Sequence, residues 1–262
     1  MQSPQGRCAG RLEPSDRLIV ALDVSSAQAA RQMVTALGNS VNTFKVGMQL
    51  YTAEGPDFVR ELIQSGKEVF LDLKYHDIPN TVASAVHEAA RLGVSMLTVH
   101  ASGGAKMLRA AVEAASEVSG GATAVPARRD PKILAVTVLT SMNEDGLHEL
   151  GVSGPVVNQV VRLANIALNA GCHGLVSSAL EVKTLRAKLG GDFLAVTPGV
   201  RPSGADHGDQ ARVVTPAEAI SAGATHIVIG RPITAAKDPV AAARSIQQEI
   251  AEALNNRQST KV

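Results

Sequence analysis

Three short apolar segments in the first third of the chain each carry acidic or basic side chains near their ends. Residues 69–74 read VFLDLK, and residues two apart share one face of a β-strand. Val69, Leu71 and Leu73 therefore face one way, whereas Phe70, Asp72 and Lys74 face the other. Lys45 and Asp23 hold the inward position in the two segments before it. A lysine held among carboxylates stays charged, so it can stabilise a developing negative charge and then donate a proton.

These four charges meet only if the three segments are neighbouring strands of one sheet. An unpaired charge on the inward face costs on the order of several kcal/mol, so acidic and basic groups must alternate there. A structural ion-pair network that closes the end of a barrel is the alternative interpretation. Buried ion pairs add little to stability, so four charges at the carboxyl ends of strands favour a catalytic function.

The residues after Lys74 read YHDIPNT and lead into an amphipathic helix. Each of them has a simple structural interpretation when it is taken alone. Asn80 or Thr81 could cap the helix, Asp77 could be a turn residue, and His76 could form a local hydrogen bond. Taken singly, each of these residues is predicted to have the structural role rather than a functional one.

A second group of candidate residues follows the last two apolar segments of the chain. Arg201 and Gln210 come after the seventh segment, and Gly230 and Arg231 come after the eighth. Glycine allows close backbone approach, and an arginine fork binds phosphate oxygens. In TIM barrels the loops after strands seven and eight often bind phosphate. Two arginines in solvent-exposed loops are the alternative, but their paired placement favours a phosphate site.

The segments that must position these residues alternate between those whose apolar residues follow the period of a strand and those whose apolar residues follow the period of a helix. We predict strands at 17–23, 43–48, 68–74, 95–100, 133–140, 174–177, 193–197 and 226–230. Helices are predicted near 26–37, 53–65, 80–92, 103–118, 154–170, 179–189, 215–222 and 239–254. Eight strand–helix units in 262 residues predict an α/β fold, a single-domain (β/α)8 TIM barrel, rather than an open sheet. The G-x-G-x-x-G fingerprint of open dinucleotide-binding sheets does not follow the first segment.

Two segments fall outside this alternation. Residues 1–15 are polar and aperiodic and are predicted to be a flexible N-terminal extension, with the catalytic barrel spanning 16–262. Residues 119–131 form a loop-like insertion before the fifth strand, at the end of the barrel away from the chemistry.

Composition excludes several classes of function. The chain has 25 Lys and Arg against 24 Asp and Glu, so no broad positive field attracts nucleic acid or an anionic membrane. Four Phe, two Tyr and no Trp argue against the aromatic platforms of single-strand binders. Two cysteines, no long apolar stretch and scattered histidines predict a cytoplasmic protein without disulfides, a membrane span or a metal site.

The run DLKYHDIPNT at residues 72–81 closely resembles the orotidine 5′-phosphate decarboxylase family. Further matching segments are LIVALDV at 18–24, FKVG at 44–47, VTVLTSM at 136–142 and IVIGRP at 227–232. The resemblance extends from about residue 16 to about residue 243. It implies a TIM-barrel homodimer that converts orotidine 5′-monophosphate (OMP) to uridine 5′-monophosphate (UMP) and CO₂ in de novo pyrimidine biosynthesis. It also implies that the reaction needs neither a metal nor an organic cofactor.

The resemblance further implies a role for each matching residue. Lys74 would protonate C6 of the pyrimidine, Asp72 would lie beside the leaving carboxylate, and Lys45 would orient and neutralise the cluster. Asp77 would reach into the site of the other subunit, so that each site is shared. The remaining residues would bind substrate: Asp23 and the partner's Thr81 the ribose, Thr140 the pyrimidine, and Arg201, Gln210, Gly230 and Arg231 the phosphate.

Two other functions remain open on the sequence alone. Related barrel enzymes that act on sugar phosphates share an Asp-x-Lys-x-x-Asp core but use Mg²⁺ to stabilise an enediolate. Residues 76–81 and the surroundings of Lys45 favour a pyrimidine nucleotide instead. A non-catalytic barrel that senses nucleotides is the second alternative, although carboxylates that face an anionic ligand would only weaken its binding.

Overall fold

A closed barrel of parallel strands forms the centre of the molecule. The computed structural model describes residues 12–117, 130–202 and 214–259. Each strand pairs with the next one in chain order, and the last strand pairs with the first. The strands are β1 (Leu18–Ala21), β2 (Thr43–Gly47), β3 (Glu68–Tyr75), β4 (Met96–His100), β5 (Lys132–Val136), β6 (Gly174–Val176), β7 (Leu194–Thr197) and β8 (His226–Ile229). The predicted single-domain TIM barrel is confirmed.

Helices follow the strands and surround the barrel. They are α1 (Ala27–Leu37), α2 (Met48–Gln64), α3 (Pro79–Leu92), α4 (Gly104–Glu117), α5 (Glu144–Glu149), α6 (Val156–Asn169), α7 (Ala179–Leu189), α8 (Pro216–Ala222), α9 (Arg231–Thr234) and α10 (Pro239–Ser259). Within the described part of the chain, none of them is long and apolar enough to cross a membrane.

The core has two layers, as the alternation within the strands predicts. Ile19, Ala21 and Phe70 belong to an inner cluster inside the barrel, whereas Leu18 and Val20 belong to the larger cluster between strands and helices. The rest of the inner cluster is Met96, Leu134, Val196 and Val228. This inner cluster is apolar. The charged inward residues lie above it, at the carboxyl ends of the strands.

Three details differ from the sequence-based expectation. The predicted strand 43–48 ends at Gly47, and Met48 begins α2 and is half exposed. The predicted strand 133–140 ends at Val136, and the residues up to Thr140 turn over the mouth of the barrel. The short helices α5 and α9 were not predicted, because segments of six and four residues are too short to show an apolar period.

The two segments outside the alternation are described only in part. Residues 1–11 lie outside the described ranges, and Pro14–Arg17 forms a 3₁₀ turn within or next to the predicted extension. Arg17 ties this turn to the barrel by donating a hydrogen bond to the carbonyl of Thr225 at 3.2 Å. Most of the predicted insertion also lies outside the description, which resumes at residue 130.

Candidate active site

Four charged side chains form a continuous row across the ends of the first three strands. Lys45 Nζ lies 2.8 Å from Asp23 Oδ1 and 3.8 Å from Asp72 Oδ2. Lys74 Nζ lies 2.9 Å from Asp72 Oδ1. Acidic and basic groups therefore alternate in space, because β1, β2 and β3 are neighbours in the barrel. The structure brings all four predicted residues together.

Burial within this row increases from its edge to its centre. The side chain of Asp23 is 59% exposed, whereas those of Lys45 and Asp72 are 12% and 13% exposed. Lys74 lies between these extremes at 26%, so its ammonium group is both held and accessible from the cavity. Water screens charges weakly at such depth, so this ammonium acts strongly on charge that develops in the cavity.

The backbone at Lys74 adopts an unusual conformation. Its φ angle is +51°, and it is the only residue other than glycine with a positive φ in the described ranges. A left-handed conformation at a lysine costs about 1 kcal/mol or more and persists only where the surroundings enforce it. The hydroxyl of Thr98, on the neighbouring strand β4, accepts a hydrogen bond from the Lys74 backbone N–H at 2.8 Å. Sequence reasoning missed Thr98, although it is inward-facing two residues after Met96.

Gly47 is a second residue of the site that sequence reasoning did not identify as functional. A Cβ atom at this position would lie 3.0 Å from Lys45 Nζ and 3.4 Å from Asp23 Oδ1. Any side chain there would displace the ammonium group from the carboxylates. The glycine therefore leaves the space that the Asp23–Lys45 ion pair occupies.

The charged row lies along one wall of a cavity of about 480 Å³ at the mouth of the barrel. Apolar side chains form its floor, among them Phe70, Val136, Val176 and Val228. Thr140 contributes a hydroxyl to the wall. The cavity is large enough for a nucleotide-sized ligand and combines an apolar floor with a few placed polar groups, as ligand sites commonly do.

The second group of predicted residues lines the same cavity. Arg201, Gly230 and Arg231 all contribute to the wall. Arg201 is only 8% exposed, so the alternative interpretation of two solvent-exposed arginines is wrong for this residue. Gly230 lies near the charged row, because a Cβ at this position would be 3.7 Å from Asp23 Oδ2. Gln210, predicted to belong to this group, lies outside the described residues.

Asp77 and Thr81 are not part of the cavity wall. Both are exposed, and Asp77 Oδ1 accepts a hydrogen bond from the backbone N–H of Ile78 at 2.6 Å. Helix α3 begins at Pro79 without a side-chain cap, so the helix-cap interpretation of Asn80 or Thr81 is wrong. The cavity of a single chain therefore contains only part of the predicted set of site residues.

Two histidine rings stack beside the lysine-bearing end of β3. The centroids of His76 and His100 are 5.4 Å apart, and the rings are nearly parallel. Burial, with the nearby His76 and Lys74, lowers the pKa of His100. The Ser102 hydroxyl lies 2.7 Å from His100 Nδ1. Burial also raises the pKa of Tyr75, next to Lys74, to about 12, so this phenol stays protonated at neutral pH.

Comparisons with known proteins agree on one family. The family model described as "Orotidine 5'-phosphate decarboxylase / HUMPS family" matches residues 16–246. A protein of Syntrophotalea carbinolica named orotidine 5'-phosphate decarboxylase is 51% identical over 243 residues, which cover 93% of this chain and 98% of the relative. A protein of the same name from Moorella thermoacetica is 50% identical over 92% of this chain and 94% of its own. The crystal structure of orotidine 5'-phosphate decarboxylase from Lactobacillus acidophilus superimposes with a TM-score of 0.79 at 41% identity, covering 89% of this chain and 98% of that one.

Proposed function

The chain belongs to the orotidine 5'-phosphate decarboxylase / HUMPS family and is a carboxy-lyase, and we propose that it converts OMP to UMP and CO₂ in pyrimidine biosynthesis. The observation that carries this proposal is the row Asp23–Lys45–Asp72–Lys74 along the wall of a nucleotide-sized cavity. Lys74 is the proton donor to C6 of the pyrimidine in this proposal.

The chemistry requires a cation at the reacting carbon. When the bond between C6 and the carboxylate breaks, CO₂ leaves and the electron pair stays on C6. That pair lies in the plane of the ring, where the π-system cannot delocalise it. The Lys74 ammonium stabilises this charge and then transfers a proton to C6, which completes UMP. The neutral amine regains its proton from water before the next turnover.

Asp72 has two functions in this proposal. It holds the Lys74 ammonium at 2.9 Å, which fixes the direction of the donor. It also lies beside the position that the substrate carboxylate takes in this proposal, so the two anions repel each other until CO₂ departs. The larger contribution comes from Lys74, because the charge that develops on C6 must be stabilised whatever this ground-state repulsion adds.

The two ends of the cavity match the two ends of a nucleotide. Arg201 and Arg231 supply guanidinium groups for the phosphate, and Gly230 lets a phosphate oxygen approach the backbone. Asp23 lies next to Gly230 and is positioned to accept a hydrogen bond from a ribose hydroxyl. Thr140 is the donor or acceptor for the pyrimidine edge.

The arrangement around Lys45 favours this reaction over the magnesium-dependent one on sugar phosphates. A magnesium site needs carboxylate oxygens that converge on the cation. Here the Lys45 ammonium lies between the carboxylates of Asp23 and Asp72. Asp72 Oδ1 also accepts hydrogen bonds from Lys74 Nζ and from the Thr98 hydroxyl, and Asp72 Oδ2 lies 3.8 Å from Lys45 Nζ, so groups of the chain itself engage both oxygens.

A direct assay tests the proposed function. We expect purified protein to consume OMP and form UMP, followed as the loss of the substrate's ultraviolet absorbance, and to do so equally well with excess EDTA. The sugar-phosphate alternative predicts no change with OMP and a chelator-sensitive reaction with a ketose or keto-acid phosphate. Binding of OMP without turnover would support the nucleotide-sensing alternative.

We further propose that the active site is shared between two subunits. Asp77 and Thr81 lie outside the cavity of their own chain and are exposed at the start of α3. A second copy of the chain would bring Asp77 beside the lysine of its partner and Thr81 beside the ribose. Such an arrangement makes the site of each subunit incomplete without the other.

Mixing two inactive variants tests the shared site. Asp77→Asn and Lys74→Ala are each expected to be inactive. After random subunit exchange at equal amounts, half of the dimers are mixed and each has one intact site, so about 25% of wild-type activity returns. If Asp77 acts within its own chain, no intact site forms and the mixture stays inactive. The control is Asp77→Asn alone, taken through the same exchange procedure. Mass spectrometry verifies that subunits have exchanged.

A further inference from the structure

Thr98 is a fully buried polar residue on β4, beside the charged residues of β3. Its Oγ1 accepts a hydrogen bond from the backbone N–H of Lys74 at 2.8 Å and donates one to Asp72 Oδ1 at 3.0 Å. A hydroxyl has one proton and two lone pairs, so it forms both bonds at once. One side chain thus contacts both the proton donor and the carboxylate that holds it.

The pairing of β3 with β4 is irregular at this point. Residues 72–74 of β3 have only Thr98 opposite them, because the register shifts between the flanking pairs. The surplus residues form a bulge, and such bulges often re-aim a side chain next to an active site. Lys74 takes its left-handed backbone conformation within this bulge. At this register shift the Lys74 N–H donates to the side-chain hydroxyl of Thr98.

We propose that Thr98 is a positioning residue for the decarboxylation. Its hydroxyl holds the bulge so that Lys74 keeps its left-handed conformation, and it fixes the rotation of the Asp72 carboxylate so that Oδ1 faces Lys74 Nζ. This inference rests on the proposed function, because the lysine that Thr98 positions is the one that protonates C6.

Replacement of Thr98 by valine distinguishes the effect of the hydroxyl from the effect of side-chain packing. Val has nearly the shape of Thr, so Thr98→Val fills the same buried space. It leaves the Lys74 N–H without a partner, and it removes one of the bonds that orient Asp72. The lysine then samples positions displaced from C6, and a displacement of about 1 Å can lower a rate by about 100-fold.

The test combines kinetics with hydrogen exchange on the full-length protein. We expect Thr98→Val to lower kcat for OMP by about 10- to 100-fold while KM changes by less than about threefold, because the hydroxyl does not contact the substrate. Thr98→Ser, which keeps the hydroxyl, should stay within about threefold of wild type in kcat. Thr137→Val is the matched control, because Thr137 is also buried but its hydroxyl donates only to a backbone carbonyl, that of Val176.

Amide hydrogen exchange at Lys74 supplies a readout that does not depend on turnover. The Lys74 amide should exchange faster in Thr98→Val than in wild type, and Thr98→Ser should restore its protection. Unchanged kcat in Thr98→Val, an equal loss in Thr137→Val, or unchanged exchange at Lys74 would each overturn the positioning function. A wild-type protein that does not act on OMP would refute the proposed function instead, and the exchange measurement would still decide whether Thr98 holds the bulge.

Discussion

Lys74→Ala is expected to lower the rate of OMP decarboxylation by at least about 10⁴-fold. The variant loses both the charge that meets the electron pair on C6 and the proton that completes the product. The fold should persist, because Asp72 keeps Lys45 at 3.8 Å and the hydroxyl of Thr98 as partners. Alanine also tolerates the left-handed backbone at this position about as well as lysine does. Single-turnover measurement of UMP formation at high enzyme concentration gives the rate.

Two controls separate chemistry from folding in this experiment. Lys188→Ala removes an exposed lysine from α7 and should leave the rate unchanged. The affinity of Lys74→Ala for UMP should stay within about tenfold of wild type, because the phosphate end of the cavity is intact. A Lys74→Ala variant that retains even about a tenth of the wild-type rate would rule out this lysine as the proton donor.

The convergence of the charged row could be predicted from the sequence because it depends on two short-range rules. Alternation within a strand places Asp72 and Lys74 on the same face, and strict strand–helix alternation makes consecutive strands neighbours. Both rules hold at Asp23 and Lys45 as well, so local patterns were sufficient to bring these four residues together.

Other features of the site depend on contacts that a local pattern does not encode. The bulge at residues 72–74 is a property of the register between β3 and β4, so neither the left-handed Lys74 nor the partner Thr98 follows from either strand alone. The function of Gly47 depends on how closely the Lys45 ammonium approaches the backbone. Asp77 is the reverse case. A motif implied a function for it, but within one chain it does not line the cavity.

Removal of the phosphate from the substrate is expected to lower kcat/KM by about 10⁴-fold. Each hydrogen bond to a charged group contributes about 1.5–3 kcal/mol, so two guanidinium groups and a backbone N–H together stabilise the complex by about 5 kcal/mol or more. Part of this loss should appear in kcat, because binding energy from a remote group offsets the cost of bringing the substrate carboxylate next to Asp72. Initial rates with OMP and with the nucleoside orotidine measure the difference.

A variant at the phosphate end shows whether the effect passes through the predicted residues. Arg231→Ala should lower kcat/KM for OMP by about 100-fold, which corresponds to the loss of one charged hydrogen-bonding group. The same variant should leave kcat/KM for orotidine nearly unchanged, because the partner of the guanidinium is already missing from that substrate. Arg244→Ala, which removes an exposed arginine from α10, is the matched control. An equal loss with both substrates would mean that Arg231 supports the structure of the barrel mouth rather than binding phosphate.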